Sequence, residues 1–514
     1  MIDVGRYLCV LVAGMAVTVI CGTGGCGSQT GSGFGANAGS TSGTAGGGGG
    51  DPLGGTSGDI STNGDGGCLT CGSGPPSKPC TNGGLDCYVK QGCSTTLSGI
   101  VYDPAGRNPL YNVVVYVPND PMGRLTPITP GTKSCNTCDV PIGNYVSVAT
   151  TDAYGHFQLT GVPATTHVPL VVQTGKWRRE VFLNSVTACQ DNPVAAQNTR
   201  LPRNRKEGDM PQMLLMNGGC DDLGCFLRSI GVDASEFTAP KGGGRVDVFA
   251  GSGGATLSNG TAGTWGTPVF AKSDYEYYDI ALLACECAPH MEPTGGPQAL
   301  HDWLNEGGKV FASHFNYTWF QNGPTDFQGV ATWKGSSIAI GMGNYNLDTT
   351  FPKGMVLREW LDNIKAIPAN SNTIALKFVA DSVGTVNMTK PQATVRWIYD
   401  GTGQGGGLLG GGGMGGMMST AGDVKYLSFL TPIGGIPGST TGENGGPGYC
   451  GKAVFTDLHT TSSINKQYNN IPADCPNNTA LNAQQDALEF LFFDLSACVS
   501  PDNQPPPPPP QSVQ

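Results

Sequence analysis

Two histidines stand at the ends of short apolar runs. KVFAS at 309–313 is followed directly by His314, and GKAVFTDLHT at 451–460 reaches His459. Open α/β sheets collect ligands and catalytic groups beyond the carboxyl ends of their parallel strands. If both strands are central, the imidazoles meet there. A carboxylate such as Glu286, in ACECAPH, would then complete a set able to bind a divalent metal or act as acid and base. The plainer reading has each histidine bonded to a backbone carbonyl, closing the top of the sheet. Ser313 beside His314 makes no substitute triad, because neighbours on a strand point to opposite faces.

Three further stretches carry candidate chemistry. In CECAPH, Cys285, Cys287 and His290 could supply soft metal ligands, against the alternative that at least one cysteine is in a disulfide. After His314, the run HFNYTWF offers Asn316, Tyr317, Trp319 and Phe320, with Trp333 further on. Aromatic side chains beside a sheet edge can stack sugar rings; the alternative is simple packing under a loop. GTGQGG at 401–406 is glycine-rich, but no helix follows to present its N-terminus to a phosphate, so it reads as a flexible insertion.

The elements that must position these groups follow from the pattern. Residues 95–185 hold short Val-, Ile-, Tyr- and Thr-rich runs separated by Gly, Pro, Asn and Asp, which predicts a small β-sandwich. His156 and His167 fall at its turns or edges. RLPRNRK at 200–206 is a basic run, read as a solvated linker, and DDLGCFLRSIGV predicts a short amphipathic helix. From about 244, strands such as VDVFA, IALLA and KVFA alternate with helices such as PQALHDWLNEGG and NAQQDALEFLFFDLSAC. That alternation predicts an α/β domain with a mainly parallel sheet.

Composition bounds the class of protein. The 514 residues include 80 glycines and 37 prolines, with only 13% charged residues and a net charge of −11. No basic stripe is available to replace phosphate counterions, which excludes nucleic acid as a partner. An apolar stretch at 8–22 behind Arg6 reads as an export signal, and Cys26 in GTGGC as a lipidation site, against plain secretion. Membrane attachment is then by the N-terminal lipid alone. Eighteen cysteines agree with an oxidising compartment and disulfides, and a lipidated Cys26 leaves an odd number for the mature chain. Cys450 is expected to pair with Cys475, tying down a strand–loop connection, and Cys220 with Cys225 or a partner elsewhere.

Two resemblances follow. The pattern of LSGIVYD, NPLYNVVVYV and TDAYGHFQL over 97–185 resembles the carboxypeptidase regulatory-like, transthyretin-like domain. It implies a sandwich of about seven strands that supports or spaces another domain, without catalysis. LNEGGKVFASHF, YCGKAVFTDLHT and YDIALLACE, within about 245–498, resemble trehalose-utilisation-type proteins of the class I glutamine amidotransferase-like superfamily. In true amidotransferases a cysteine nucleophile occupies the strained turn after the strand matched by KVFAS. Here that position reads SHF, and Thr460 and Thr461 follow His459 where a His-x-Glu pair would continue. The resemblance therefore implies the fold without the nucleophile.

The expected chain is multidomain: an all-β sandwich followed by an α/β flavodoxin-like domain. Its parts are a signal peptide (1–26), a Gly/Ser-rich tether and Cys-rich collar (27–94), the sandwich (95–199) and a linker with a short helix (200–243). The amidotransferase-like domain (244–499) and a Pro-rich tail (500–514) complete it. The expected role is an exported, lipid-anchored bacterial cell-envelope protein that binds or supports, directed at a glycan or another envelope component. The alternative is a sugar-directed or metal-assisted hydrolase or isomerase using His314, His459 and Glu286. No cofactor is predicted beyond a divalent metal at the histidine pair.

Overall fold

The computed structural model describes residues 83–131, 135, 142–265, 272–290, 295–335, 341–389, 393–401, 422–435, 448–460, 468–477, 479–506 and 508–509. The chain divides into two units, Met1–Leu69 and Thr70–Gln514, and the described residues all belong to the second. The expected signal peptide with Cys26, the expected tether, and the expected insertion from residue 402 to 421 lie outside the described residues.

Seven strands build the sandwich: β1 (Thr96–Ile100), β2 (Val114–Pro118), β3 (Tyr145–Thr150), β4 (His156–Thr160), β5 (Thr166–Thr174), β6 (Trp177–Ser185) and β7 (Asp191–Pro193). They form two sheets, β4-β1-β7 and β3-β2-β5-β6. The alternation in the sequence is the alternation of burial. In β4, Phe157 and Leu159 are buried while His156, Gln158 and Thr160 face water. His167 is exposed as well, and its ring stacks on Phe182.

The remaining strands are β8 (Met213–Asn217), β9 (Phe237–Thr238), β10 (Val246–Ala250), β11 (Thr256–Leu257), β12 (Gly263–Thr264), β13 (Ile280–Leu283), β14 (Lys309–Ser313) and β15 (Ala331–Trp333). They continue with β16 (Gly341–Leu347), β17 (Thr373–Val379), β18 (Val383–Val386), β19 (Val395–Tyr399), β20 (Val424–Thr431), β21 (Gly451–Thr456) and β22 (Asn470–Ile471). One sheet follows the path β12-β10-β8-β13-β14-β21-β20-β19-β16-β17. Strand pairs are parallel from β12 to β21 and antiparallel from β20 onward. The sheet is thus half parallel rather than mainly parallel. The difference lies in 331–431, where the strands pair antiparallel with their neighbours, without the crossover that parallel pairing demands.

The parallel half is buried on both faces, which explains its unbroken apolar runs. Met213 and Leu215 of β8 enter one core, Leu214 and Met216 the other. The first core continues into the sandwich, so Trp177 packs edge-on against Phe492 and Phe493 of the helix Ala483–Ser496. The second receives the helix Gly296–Asn305 through Leu300, Trp303 and Leu304. Gly308 follows that helix because a Cβ there would stand 2.3 Å from the Trp303 ring.

Two expected boundaries change. Residues 200–243 are not a linker: MLLMN is β8, between β10 and β13, and every residue of the helix Leu223–Ser229 is buried. The segment from 500 does not begin as a solvated tail either. Asp502 is buried and its Oδ1 accepts from Lys353 Nζ (2.8 Å) and Lys452 Nζ (2.6 Å), while its Oδ2 accepts from Ser428 Oγ (2.6 Å). Two cationic ammonium groups under the sheet need that carboxylate, and they draw the chain end inward.

The disulfides also differ from expectation. Cys450 pairs with Cys135 and Cys475 with Cys225, so Cys450 and Cys475 are not partners. Cys220 pairs with Cys287, and Cys93 with Cys189. Each bridge joins segments between 67 and 315 residues apart, a connectivity that sequence proximity cannot reveal.

Candidate metal centre

Four adjacent strands, β8, β13, β14 and β21, deliver the site from their carboxyl ends. Cys285 follows β13, His314 follows β14, and His459 stands three residues beyond β21. Register holds the ends level: Leu283 lies opposite Ala312, and Ser313 opposite Thr456.

His314 opens a 3-10 turn, His314–Tyr317, with φ of 42°. A left-handed backbone is costly for a residue with a Cβ and persists where the surroundings over-determine it. The turn aims the ring back across the sheet edge, stacked on Phe315 with 3.9 Å between centroids. His314 Nδ1 lies 3.2 Å from His459 Nε2 and 3.4 Å from Cys285 Sγ. The three side chains are 3%, 4% and 0% exposed, in the order His314, His459, Cys285. Their potential ligand atoms all lie within 4.8 Å of one another.

The tautomer of His459 is fixed by its other nitrogen. Nδ1 is 2.8 Å from the carbonyl oxygen of Phe378, which can only accept, so Nδ1 carries a proton and, in the neutral ring, Nε2 is the nitrogen with the lone pair. Phe378 is itself left-handed, with φ of 54°, within β17. Burial holds His314 well below 6.5, with the neighbouring His459 and Lys425 acting in the same direction, so its imidazole is neutral. Burial pushes the Cys285 thiol up to about 12. His314 Nε2 is buried and makes no hydrogen bond among the described residues.

Around the three groups runs a network that fixes their spacing. Cys285 N donates to Ser313 Oγ (3.0 Å), which donates to Asp221 Oδ2 (2.7 Å). Asp221 Oδ1 accepts from Thr460 N (2.8 Å) and from the Thr460 hydroxyl. One buried carboxylate beyond β8 therefore ties the ends of β13, β14 and β21 together. Asp457, pushed up to about 6 by burial, accepts from Ser382 N at 2.8 Å. The Cys220–Cys287 bridge closes the near side, and Cys220 N donates to Cys285 O (2.9 Å).

The predicted site residues divide clearly. His314 and His459 converge. Glu286 does not join them: its carboxylate accepts from Ser252 N at 2.6 Å, and the third member of the cluster is Cys285. Cys287 is in a disulfide, and His290 is exposed. The binding surface expected after His314 is core instead. Asn316, Tyr317, Trp319 and Phe320 are all at most 3% exposed. Phe320 packs on Phe429, Phe455 and Trp333, while Asn316 Nδ2 donates to the carbonyls of Leu283, Ala284 and Ser313 at 3.0–3.1 Å. These residues are buried because the turn folds back under the second core, and that removes the platform for sugar stacking. Cys285, expected as a soft ligand together with Cys287 and His290, is grouped instead with the two histidines. Asp221 is the one participant without a signal in the sequence, because it follows β8 in the segment expected to be a linker.

Neither a protein-family model nor a curated protein matches the chain. Among solved structures, a type II cohesin–X-dockerin complex from Acetivibrio cellulolyticus, a C-terminal interface mutant, is similar over 24% of this chain and 76% of that chain. The identity is 16% and the TM-score 0.14, too low to carry an argument about fold or role.

Proposed function

We propose that the chain is an exported cell-envelope protein, anchored through Cys26, whose α/β domain holds a divalent metal at the carboxyl edge of its sheet. The observation that carries this reading is the 3.2 Å separation of His314 Nδ1 and His459 Nε2. Two imidazole nitrogens, each about 2.05 Å from a tetrahedral ion, stand about 3.3 Å apart. The His459 Nδ1–H bond to Phe378 O is the outer contact that orients a ligating imidazole.

Further support comes from the frame. Counted in chain order, the long parallel strands β8, β10, β13, β14 and β21 run 2-1-3-4-5 across the sheet, the flavodoxin-like order. That order supports the likeness to amidotransferase-like domains. The disulfides Cys93–Cys189, Cys135–Cys450, Cys220–Cys287 and Cys225–Cys475 support an oxidising compartment. No helix among the described residues is long and apolar enough to cross a membrane. Hydrolysis or isomerisation would need a substrate at the metal, and side chains at most 4% exposed favour holding the ion over turning over a sugar.

The test is equilibrium dialysis of the full chain against Zn(II) after stripping with a chelator. One equivalent per chain is expected, falling to background in His459→Ala with unchanged circular dichroism. Unaltered protein that retains no zinc above background would overturn the reading.

A further inference from the structure

We infer that Cys285 is a ligand of this centre, which makes it a thiolate–bis-imidazole site selective for thiophilic ions of the zinc class. The inference deepens the metal reading above and rests on it. Geometry is its first support. A sulfur about 2.3 Å and a nitrogen about 2.05 Å from one tetrahedral ion stand about 3.6 Å apart. Cys285 Sγ is 3.4 Å from His314 Nδ1.

Proton accounting is the second. His314 Nδ1 faces both Cys285 Sγ and the lone pair of His459 Nε2. One ring nitrogen carries either a proton or a lone pair. If Nδ1 is protonated, it can satisfy a neutral His459, but the thiol proton then has no acceptor at Nδ1. If Nδ1 is bare, it can accept from the thiol, but then it opposes the bare Nε2 of His459 in a dry site. A cation between the three atoms turns facing lone pairs and a thiolate into ligands. Binding exchanges the S–H proton, released to solvent, for the metal.

The third support is the cysteine's own state. Cys285 is wholly buried and outside any disulfide, while Cys287 two residues on is bridged to Cys220. Its backbone is fixed by Ser313 and, through it, by Asp221, from the strand that presents His314. A thiolate beside two imidazoles selects zinc or cobalt over magnesium or calcium, which take oxygen ligands.

Co(II) is the probe, added to the chelator-stripped full chain with magnesium and calcium as controls. The expected result is an intense thiolate-to-cobalt charge-transfer absorption at one equivalent, displaced by Zn(II) and untouched by magnesium or calcium. Cys285→Ala should lose that absorption and bind Zn(II) more than about 10-fold more weakly. Cobalt uptake by unaltered protein without the absorption means that the histidines bind alone, which overturns the inference and leaves the metal reading standing. No uptake of cobalt or zinc overturns both. Should Cys285→Ala fail to fold, the spectrum of the unaltered protein decides.

Discussion

Where the sandwich meets the closing helix, two carboxyl groups share one dry space. Asp103, in the loop after β1, and Glu489, on the helix Ala483–Ser496, are both 0% exposed. Asp103 Oδ1 accepts from Arg107 N (2.7 Å), and Asn108 Nδ2 reaches Glu489 Oε2 (2.5 Å) and Asp486 Oδ1 (3.0 Å). Burial pushes Asp103 from 3.8 up to about 6, and burial with the Asp103 charge holds Glu489 well above 4.5. A group whose folded value is raised contributes stability that is complete below its unfolded value and lost as pH climbs through the folded one. For Asp103 that window runs from about 4 to about 6. The displacement is worth about 3 kcal/mol, at about 1.4 kcal/mol per pH unit. Asp103→Asn keeps the shape, still accepts from Arg107 and donates to Glu489 without needing a proton. Urea denaturation of the full chain at pH 4.5 and pH 7.5, disulfides intact, should show the variant gaining on unaltered protein by about 2–3 kcal/mol between the two. Using the difference cancels titrating groups away from this pair, including His314, whose lowered value acts in the opposite sense. A constant offset at both pH values would refute the shared-proton argument.

Asp221→Asn should weaken the whole sheet edge, because an amide cannot accept from both Ser313 and the two Thr460 donors. About 2–4 kcal/mol is expected, read as a lower urea midpoint together with weaker zinc retention. Ending the chain at residue 499 removes Asp502 and leaves Lys353 and Lys452 to share Asp494. Removing one member of such a buried set costs about 3–5 kcal/mol, measurable as a lower thermal midpoint, where a merely solvated tail would cost nothing. Peptide mapping without reduction should recover Cys225 linked to Cys475 and Cys135 linked to Cys450, and no peptide joining Cys450 to Cys475.

How much of this was legible follows from what local sequence can encode. IALL, and the VFA and AVF cores of KVFAS and GKAVFT, are short apolar runs, the signature of strands covered on both faces, and all three strands lie side by side in the sheet. The strand-end rule places His314 and His459 at one edge of the sheet, where their facing ring nitrogens stand 3.2 Å apart. MLLMN carries the same signature over only five residues and was lost between a basic run and a glycine pair. Arg200 and Arg203 of that basic run are held by Glu207, and Arg205 by Glu236, so its charge says nothing about linker character. The aromatic run after His314 misled because residue type does not tell which way a turn folds; Phe320 faces the core beside Phe327 and Phe429. Glu286 and Cys285 are neighbours in sequence, and the turn after β13 decides which of them meets the imidazoles.

In the proposed centre, His314, His459 and Cys285 hold one ion together. X-ray absorption at the zinc edge of the loaded full chain tests it most directly. The expected first shell has one sulfur at about 2.3 Å and nitrogens at about 2.0–2.1 Å. A shell of oxygen ligands alone, or no bound zinc, would contradict it.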